Sequence, residues 1–193
     1  MPYSLHEAVE RCDLRRARML LDSGQGDVTA ANEGGLTPLH LAVAENDPEM
    51  VALLLDQGAP LNARDGQENT PLHWAARLGH LRVAHLLLAH GAEVNASGAM
   101  GWRPLHHAAE KGHAELVKLL LEHRANVNAL TRYGRTPLHS ATERGHQQTI
   151  RLLLDHGAHS RARLRYMNAL LDLALRQGHT NVSTIIRTLD DPT

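Results

Sequence analysis

Fifteen histidines and a single cysteine, Cys12, are the residues of this chain with the widest chemical reach. Imidazole ligates zinc and carries protons near neutral pH, and a thiolate is a nucleophile. Twelve of the histidines fall on a regular interval: His6, His40, His73, His106 and His139; His80, His113, His146 and His179; and His90, His123 and His156. A metal needs three or four ligands converging on one point, whereas side chains recurring at this interval are spread along the chain. They therefore read as structural, with a histidine-dependent metal protein as the alternative and the pair His106–His107 as a site of adventitious metal binding. Cys12 leaves no disulfide framework and no cysteine zinc site, and its place in a turn disfavours a nucleophilic role. Neither a Gly-x-x-x-x-Gly-Lys phosphate loop nor a Gly-x-Ser-x-Gly nucleophile turn is present. The expectation is a protein without catalytic residues, cofactor or metal.

The interval comes from a tetrapeptide repeated every 33 residues: Thr37-Pro38-Leu39-His40, Thr70-Pro71-Leu72-His73, Arg103-Pro104-Leu105-His106 and Thr136-Pro137-Leu138-His139. In one copy, Thr70 suits an N-cap and Pro71 the first helical position, where a missing N–H is no loss. Leu72 to Leu78 reads as a short helix with Leu72, Ala75 and Ala76 on its apolar face. Gly79 ends it in a left-handed turn, and His80 opens a second helix with Val83, Leu86, Leu87 and Leu88 at helical spacing. The inter-helix turn slot is filled by Cys12, Asn46, Gly79, Gly112, Gly145 and Gly178. Arg124 stands where Gly58, Gly91 and Gly157 stand, and Glu68 where Gly35, Gly101 and Gly134 stand, so strain or rearrangement is expected at both. Asn62, Asn95 and Asn128 read as turn-stabilising side chains.

These units resemble ankyrin repeats, whose known pattern is Thr-Pro-Leu-His-x-Ala at this period. The resemblance covers nearly the whole chain and implies an all-α solenoid of stacked antiparallel helix pairs with hairpin-like loops. It divides a single domain, 1–193, into an N-capping repeat over about 1–33, full repeats at 34–66, 67–99, 100–132 and 133–165, and a C-capping repeat over 166–193. It further implies that the tetrapeptide histidine ties its helix start to the neighbouring loop, and that the family's work is protein–protein contact without catalysis. In similar eukaryotic repeats the loop asparagine can be β-hydroxylated.

Residues that vary from unit to unit are the ones the scaffold leaves free. They lie at the loop tips, on the first helix and in the slot after the tetrapeptide histidine. The candidate partner-binding residues there are Trp74, Arg77, Met100, Trp102, His107, Lys111, Arg132, Tyr133, Arg135, Arg144, Arg165 and Tyr166. Trp, Tyr, Met and Arg are the types that dominate interface energetics. The arginines point to a protein or peptide partner carrying an acidic patch. The overall charge is −1, but residues 1–68 carry 5 basic against 12 acidic side chains and residues 69–193 carry 15 against 9. A −7 front half opposes phosphate binding, so no nucleic-acid partner is expected. No stretch is apolar enough for a membrane span and no leader pattern opens the chain, so a cytoplasmic monomer is expected. Capture of the partner would tether or occlude it, as an adaptor or scaffold, a stand-alone inhibitor, or a regulatory subunit of an enzyme or transcription factor would.

Overall fold

A tetrapeptide with proline at the first helical position starts a helix without wasting a hydrogen-bond donor, and this local chemistry organises the structure. The computed structural model describes residues 4–158, 172–181 and 184. They form two compact units, Met1–Ala99 and Met100–Thr193. The first holds α1 (Leu5–Glu10), α2 (Leu14–Asp22), α3 (Pro38–Ala44), α4 (Pro48–Asp56), α5 (Pro71–Leu78) and α6 (Leu81–Ala89). The second holds α7 (Pro104–Lys111), α8 (Ala114–Glu122), α9 (Pro137–Arg144) and α10 (Gln147–Asp155), preceded by a single 3-10 turn at Ala99–Gly101. No strand occurs among the described residues. The all-α architecture of paired, stacked helices is the one expected.

Within the first unit α1, α3 and α5 pack in one row and α2, α4 and α6 in another, each pair joined by its own turn. Within the second, α7 packs on α9 and α8 on α10 in the same manner. Small residues make the first row possible: Ala42, Ala75, Ala108 and Ala141 are all 0% exposed. Leu54, Leu87, Leu120 and Leu153, the middle members of the leucine triplets, are likewise sealed. Burying each such leucine contributes about 2 kcal/mol of transfer free energy. No helix among the described residues exceeds nine residues, too short to persist alone in water. Their stability therefore comes from the stack.

The inter-helix turns are left-handed at every expected slot, including the two without glycine, Cys12 at φ 53° and Asn46 at φ 54°. Arg124 (φ 65°) and Glu68 (φ 64°) also keep the left-handed conformation of the glycines they replace. The chain accepts the strain there and does not rearrange.

The tetrapeptide histidine does two jobs at once. In α3, α5, α7 and α9 the imidazole Nδ1 accepts the N–H of the N-cap residue, from Thr37, Thr70, Arg103 and Thr136, at 3.1–3.3 Å. The sequence reading gave the capping of α5 to the Thr70 hydroxyl. In the structure Thr70 is that N-cap, its side chain facing the His73 backbone in a capping box, and its hydroxyl also lies 2.9 Å from His73 Nδ1, so the ring is an integral part of the cap. The imidazole thus occupies the place that Glu or Gln takes in an ordinary capping box. The opposite nitrogen, Nε2, donates to a carbonyl in the following loop: His6 to Leu36 at 3.2 Å, His40 to Asn69 at 3.1 Å and His106 to Arg135 at 3.1 Å. A lone pair on Nδ1 and a proton on Nε2 define one neutral tautomer.

Burial favours the neutral form of His40, His106 and His139. It pushes His106 and His139 each down to about 4, with the Arg103 charge and the Arg135 charge respectively adding to the effect, and it lowers His40 as well. A second histidine ladder runs backwards. Nε2 of His80, His146 and His179 donates to the carbonyls of Ala44, Glu110 and Glu143, near the end of the preceding first helix. Loop asparagines add another tie. Asn62 Oδ1 accepts the Glu93 N–H at 2.9 Å, and Asn128 Nδ2 donates to the Gly157 carbonyl at 3.1 Å. These two side chains link successive repeats, a role beyond the local turn expected of them.

The last full repeat departs from its predecessors in the core. Thr149 takes the slot of Met50, Val83 and Leu116, and Thr142 that of Val43, Ala76 and Ala109. Both are at most 1% exposed, and neither hydroxyl has a hydrogen-bond partner among the described residues. A buried, unpaired hydroxyl costs about 1–3 kcal/mol. Thr149→Val, which keeps the shape, is expected to stabilise the protein by about 1 kcal/mol and raise the melting temperature by a few degrees. A lower urea midpoint for the variant would contradict this. Because the folded His106 titrates near 4 and the unfolded one near 6.5, the unfolded chain binds more protons between those values. The His106 contribution to stability is therefore expected to be constant above pH 6.5, to be lost as pH falls from 6.5 to about 4 and to level off below, in urea titrations across that range. His106→Gln should shrink that dependence.

Candidate functional site

The hairpin loops and first helices hold the residues that the scaffold does not consume. In the first unit Asp65 organises its hairpin. Oδ1 accepts the N–H groups of Gln67 at 2.9 Å and Asn69 at 2.8 Å, while Oδ2 accepts Nε1–H of Trp74 at 2.8 Å. Burial opposes ionisation of this carboxyl, but the hydrogen bonds from Asn69, Trp74 and Gln67 outweigh it and its pKa is lowered. Trp74 is half-buried, and the Arg77 guanidinium lies 4.5 Å from its ring centroid. That geometry is a cation–π contact. Trp74 and Arg77 thus form one platform whose polar edge is committed to the fold.

In the second unit Trp102 is half-buried, its ring centroid 5.8 Å from that of His106 and 4.9 Å from that of His107. Met100 and Tyr133 occupy the same slot in successive hairpins and are 48% and 73% exposed. The Tyr133 hydroxyl lies 4.0 Å from Met100 Sδ. Their hairpins are joined by a backbone hydrogen bond from Arg132 N–H to the Met100 carbonyl at 2.9 Å. The first unit has the matching bond from Gly66 N–H to the Gly34 carbonyl. Met100 is left-handed at φ 54°, followed by Gly101 at φ 76°. Leu130, which the sequence reading passed over, is 58% exposed on the same loop as Arg132 and Tyr133. Its slot holds Arg64 and Ser97 in earlier repeats, and that change of type was the available signal.

The cationic candidates separate into two groups. Arg135 pairs with Glu143, Arg144 lies 2.8 Å from Glu110, and Lys111 lies 3.8 Å from the same carboxylate. Arg132 is exposed and forms no ion pair among the described residues. Arg165 and Tyr166 lie outside the described residues. No group of three His, Cys, Asp or Glu is placed to hold a metal ion among the described residues. Nor is any described helix long and apolar enough to cross a membrane. Cys12 is exposed, and its thiol is raised by partial burial and by the Asp47 and Glu45 charges.

Comparison with known proteins follows the same lines. The family described as ankyrin repeats (3 copies) matches residues 5–98 and 95–164. A BTB/POZ domain and ankyrin repeat-containing protein BOP of Lupinus luteus is 47% identical over 62 residues, 32% of this chain and 13% of the relative. Regulatory protein NPR5 of Arabidopsis thaliana is 45% identical over 62 residues, with the same shares covered. A BTB/POZ domain and ankyrin repeat-containing protein NPR1 of Oryza sativa subsp. indica is 40% identical over 57 residues, 30% of this chain and 10% of the relative. The matched segments thus span about an eighth or less of these relatives' length. Ankyrin repeats are protein-interaction modules.

The Asp65–Trp74 bond makes a direct prediction. In a Trp102→Phe background, Asp65→Ala is expected to red-shift the Trp74 emission and to cost about 2 kcal/mol in urea unfolding, since the hairpin loses three acceptor contacts. An unchanged emission maximum would show that this carboxylate does not hold the indole.

Proposed function

Because this chain belongs to the ankyrin-repeat family, we propose that it is a non-catalytic module that binds a protein or peptide through its hairpin tips and first-helix face. One observation carries the reading: Met100, Leu130, Arg132 and Tyr133 are exposed on adjoining hairpins although the core is complete without them. An isolated apolar side chain at the surface needs no explanation, but several tied together at one tip do. Exposed Met, Tyr and Arg are the types whose truncation most often costs an interface about 2 kcal/mol or more. The scaffold suits such work, since its constant positions fix the fold and its variable ones stay available. Repeats over 34–66, 67–99, 100–132 and 133–165 within one domain would carry this face. A cytoplasmic, monomeric adaptor or regulatory subunit is the form we favour, in keeping with one relative whose name describes a regulatory protein.

The twelve candidate residues do not contribute equally on this reading. Trp74 and Trp102 combine recognition with structure, because each ring already rests on neighbours. Tyr133 and Met100 serve recognition alone. With the full chain immobilised and exposed to host lysate, Tyr133→Ala combined with Met100→Ala should lower the yield of bound partner, read by mass spectrometry, about tenfold or more. The melting temperature should move by no more than a few degrees. Trp102→Ala should lower both. Undiminished capture by the Met100/Tyr133 double variant would show the face to be misassigned.

A further inference from the structure

The hairpins of the second unit differ from the rest of the chain in charge. No Asp or Glu occurs between Glu93 and Glu110, nor between Glu122 and Glu143. Those two stretches carry Arg103, Arg124, Arg132 and Arg135. The hairpins of the first unit, by contrast, include Asp27, Glu33, Asp65 and Glu68. Among the described residues, the carboxylates of the second unit lie on helices, where Glu110 holds Arg144 and Lys111 and Glu143 holds Arg135. Arg144, Lys111 and Arg135 are thus already answered within the protein. At the tip, Arg132 stands exposed beside Tyr133, with Met100 and Leu130 on the adjoining backbone.

We propose that the Met100–Leu130–Arg132–Tyr133 tip is the anion-recognising part of the partner face, and that it takes an acidic protein segment in which a carboxylate adjoins an apolar side chain. The inference rests on the interaction-module reading above and narrows it. Charge complementarity selects the acidic group: a carboxylate arriving at Arg132 meets no competing carboxylate from its own hairpin. One arriving at Arg144, Lys111 or Arg135 must displace Glu110 or Glu143 and gains correspondingly little. Guanidinium recognises a carboxylate through paired, charge-assisted hydrogen bonds. The thioether of Met100, the aliphatic Leu130 and the face of Tyr133 supply the apolar contact, and methionine adapts to varied partners. The left-handed backbone at Met100, costly for a residue with a side chain, holds that thioether outward on a hairpin tied to its neighbour. A tip fixed in this way loses little entropy on binding.

A random peptide display library selected against the full immobilised chain tests the proposal. Enriched peptides are expected to place Asp or Glu next to an aliphatic or aromatic residue. Binding of the best synthetic peptide, read by fluorescence anisotropy, should weaken about tenfold or more with Arg132→Glu and with Tyr133→Ala, and should weaken with added salt. Arg144→Ala should leave it within about twofold. Enriched peptides lacking carboxylates would overturn the proposal, as would binding that survives Arg132→Glu. Loss on Arg144→Ala or Lys111→Ala instead would move the anion site to the helices and leave the interaction-module reading intact. Tighter retention of a single-stranded oligonucleotide than of any peptide would overturn it in favour of a nucleic-acid face. Failure to enrich any peptide would also overturn it, and failure of lysate capture as well would remove the broader reading.

Discussion

A neutral imidazole that accepts on one side and donates on the other is the interaction on which this structure depends. Each helix is too short to be stable by itself, so a repeat must fix its own helix start and its neighbour's position together. A carboxylate at the same position could cap the helix but could not donate to the next loop. An amide could do both, but it lacks the ring that spans the distance while filling space. The protonated ring fails too, because Nδ1 then carries a hydrogen against the N-cap N–H. Burial, which lowers the pKa of His40, His106 and His139, is therefore what keeps the bridge working, and the bridge in turn holds the buried surfaces in register.

The second ladder makes the arrangement directional. Forward bonds from the tetrapeptide ring join a helix start to the following loop, and backward bonds from His80, His146 and His179 join a turn to the preceding first helix. The backward ring needs room. A Cβ added at Gly112 would lie 2.5 Å from His146 Nδ1, and one at Gly145 would lie 2.8 Å from His179 Nδ1. Glycine is demanded at these two turns by contact as well as by conformation. Asn46 shows the converse: with a side chain in the turn, the His80 bond reaches 3.4 Å, longer than its counterparts at 2.9 and 3.0 Å.

Much of this was legible in the residues. The period gave the helices and their turns, and the slot containing Cys12 and Asn46 proved left-handed although neither residue is glycine. That worked because a repeated backbone path constrains a residue more than its own propensity does. What escaped were interactions joining positions whose types change between repeats. The Trp74 acceptor, Asp65, occupies a slot filled elsewhere by Asn32, Gly98 and Thr131, so no periodic signal marked it. The pairing of Arg135 with Glu143 and of Arg144 with Glu110 depends on how side chains cross a helix face and its neighbour. Residue type and variable position mark all of these arginines alike as partner contacts, and only geometry divides those already answered by carboxylates from Arg132.

That division gives the molecule its economy of roles. Ion pairs near the surface contribute little to stability, typically under about 1 kcal/mol. Glu110 and Glu143 thus do less to hold the fold than to set which cations a visitor meets uncompensated. The tip hairpins, emptied of carboxylates, keep their positive field and project it from a backbone pinned to the next repeat by Arg132 N–H and the Met100 carbonyl. On the reading proposed above, recognition would require no movement of this hairpin. Were the same arginine placed on a first helix, neighbouring glutamates would mask it; were its hairpin loose, ordering would consume the gain. In the second unit the first-helix cations Lys111 and Arg144, and Arg135 beside them, are answered by Glu110 and Glu143, whereas Arg132 at the tip forms no ion pair among the described residues.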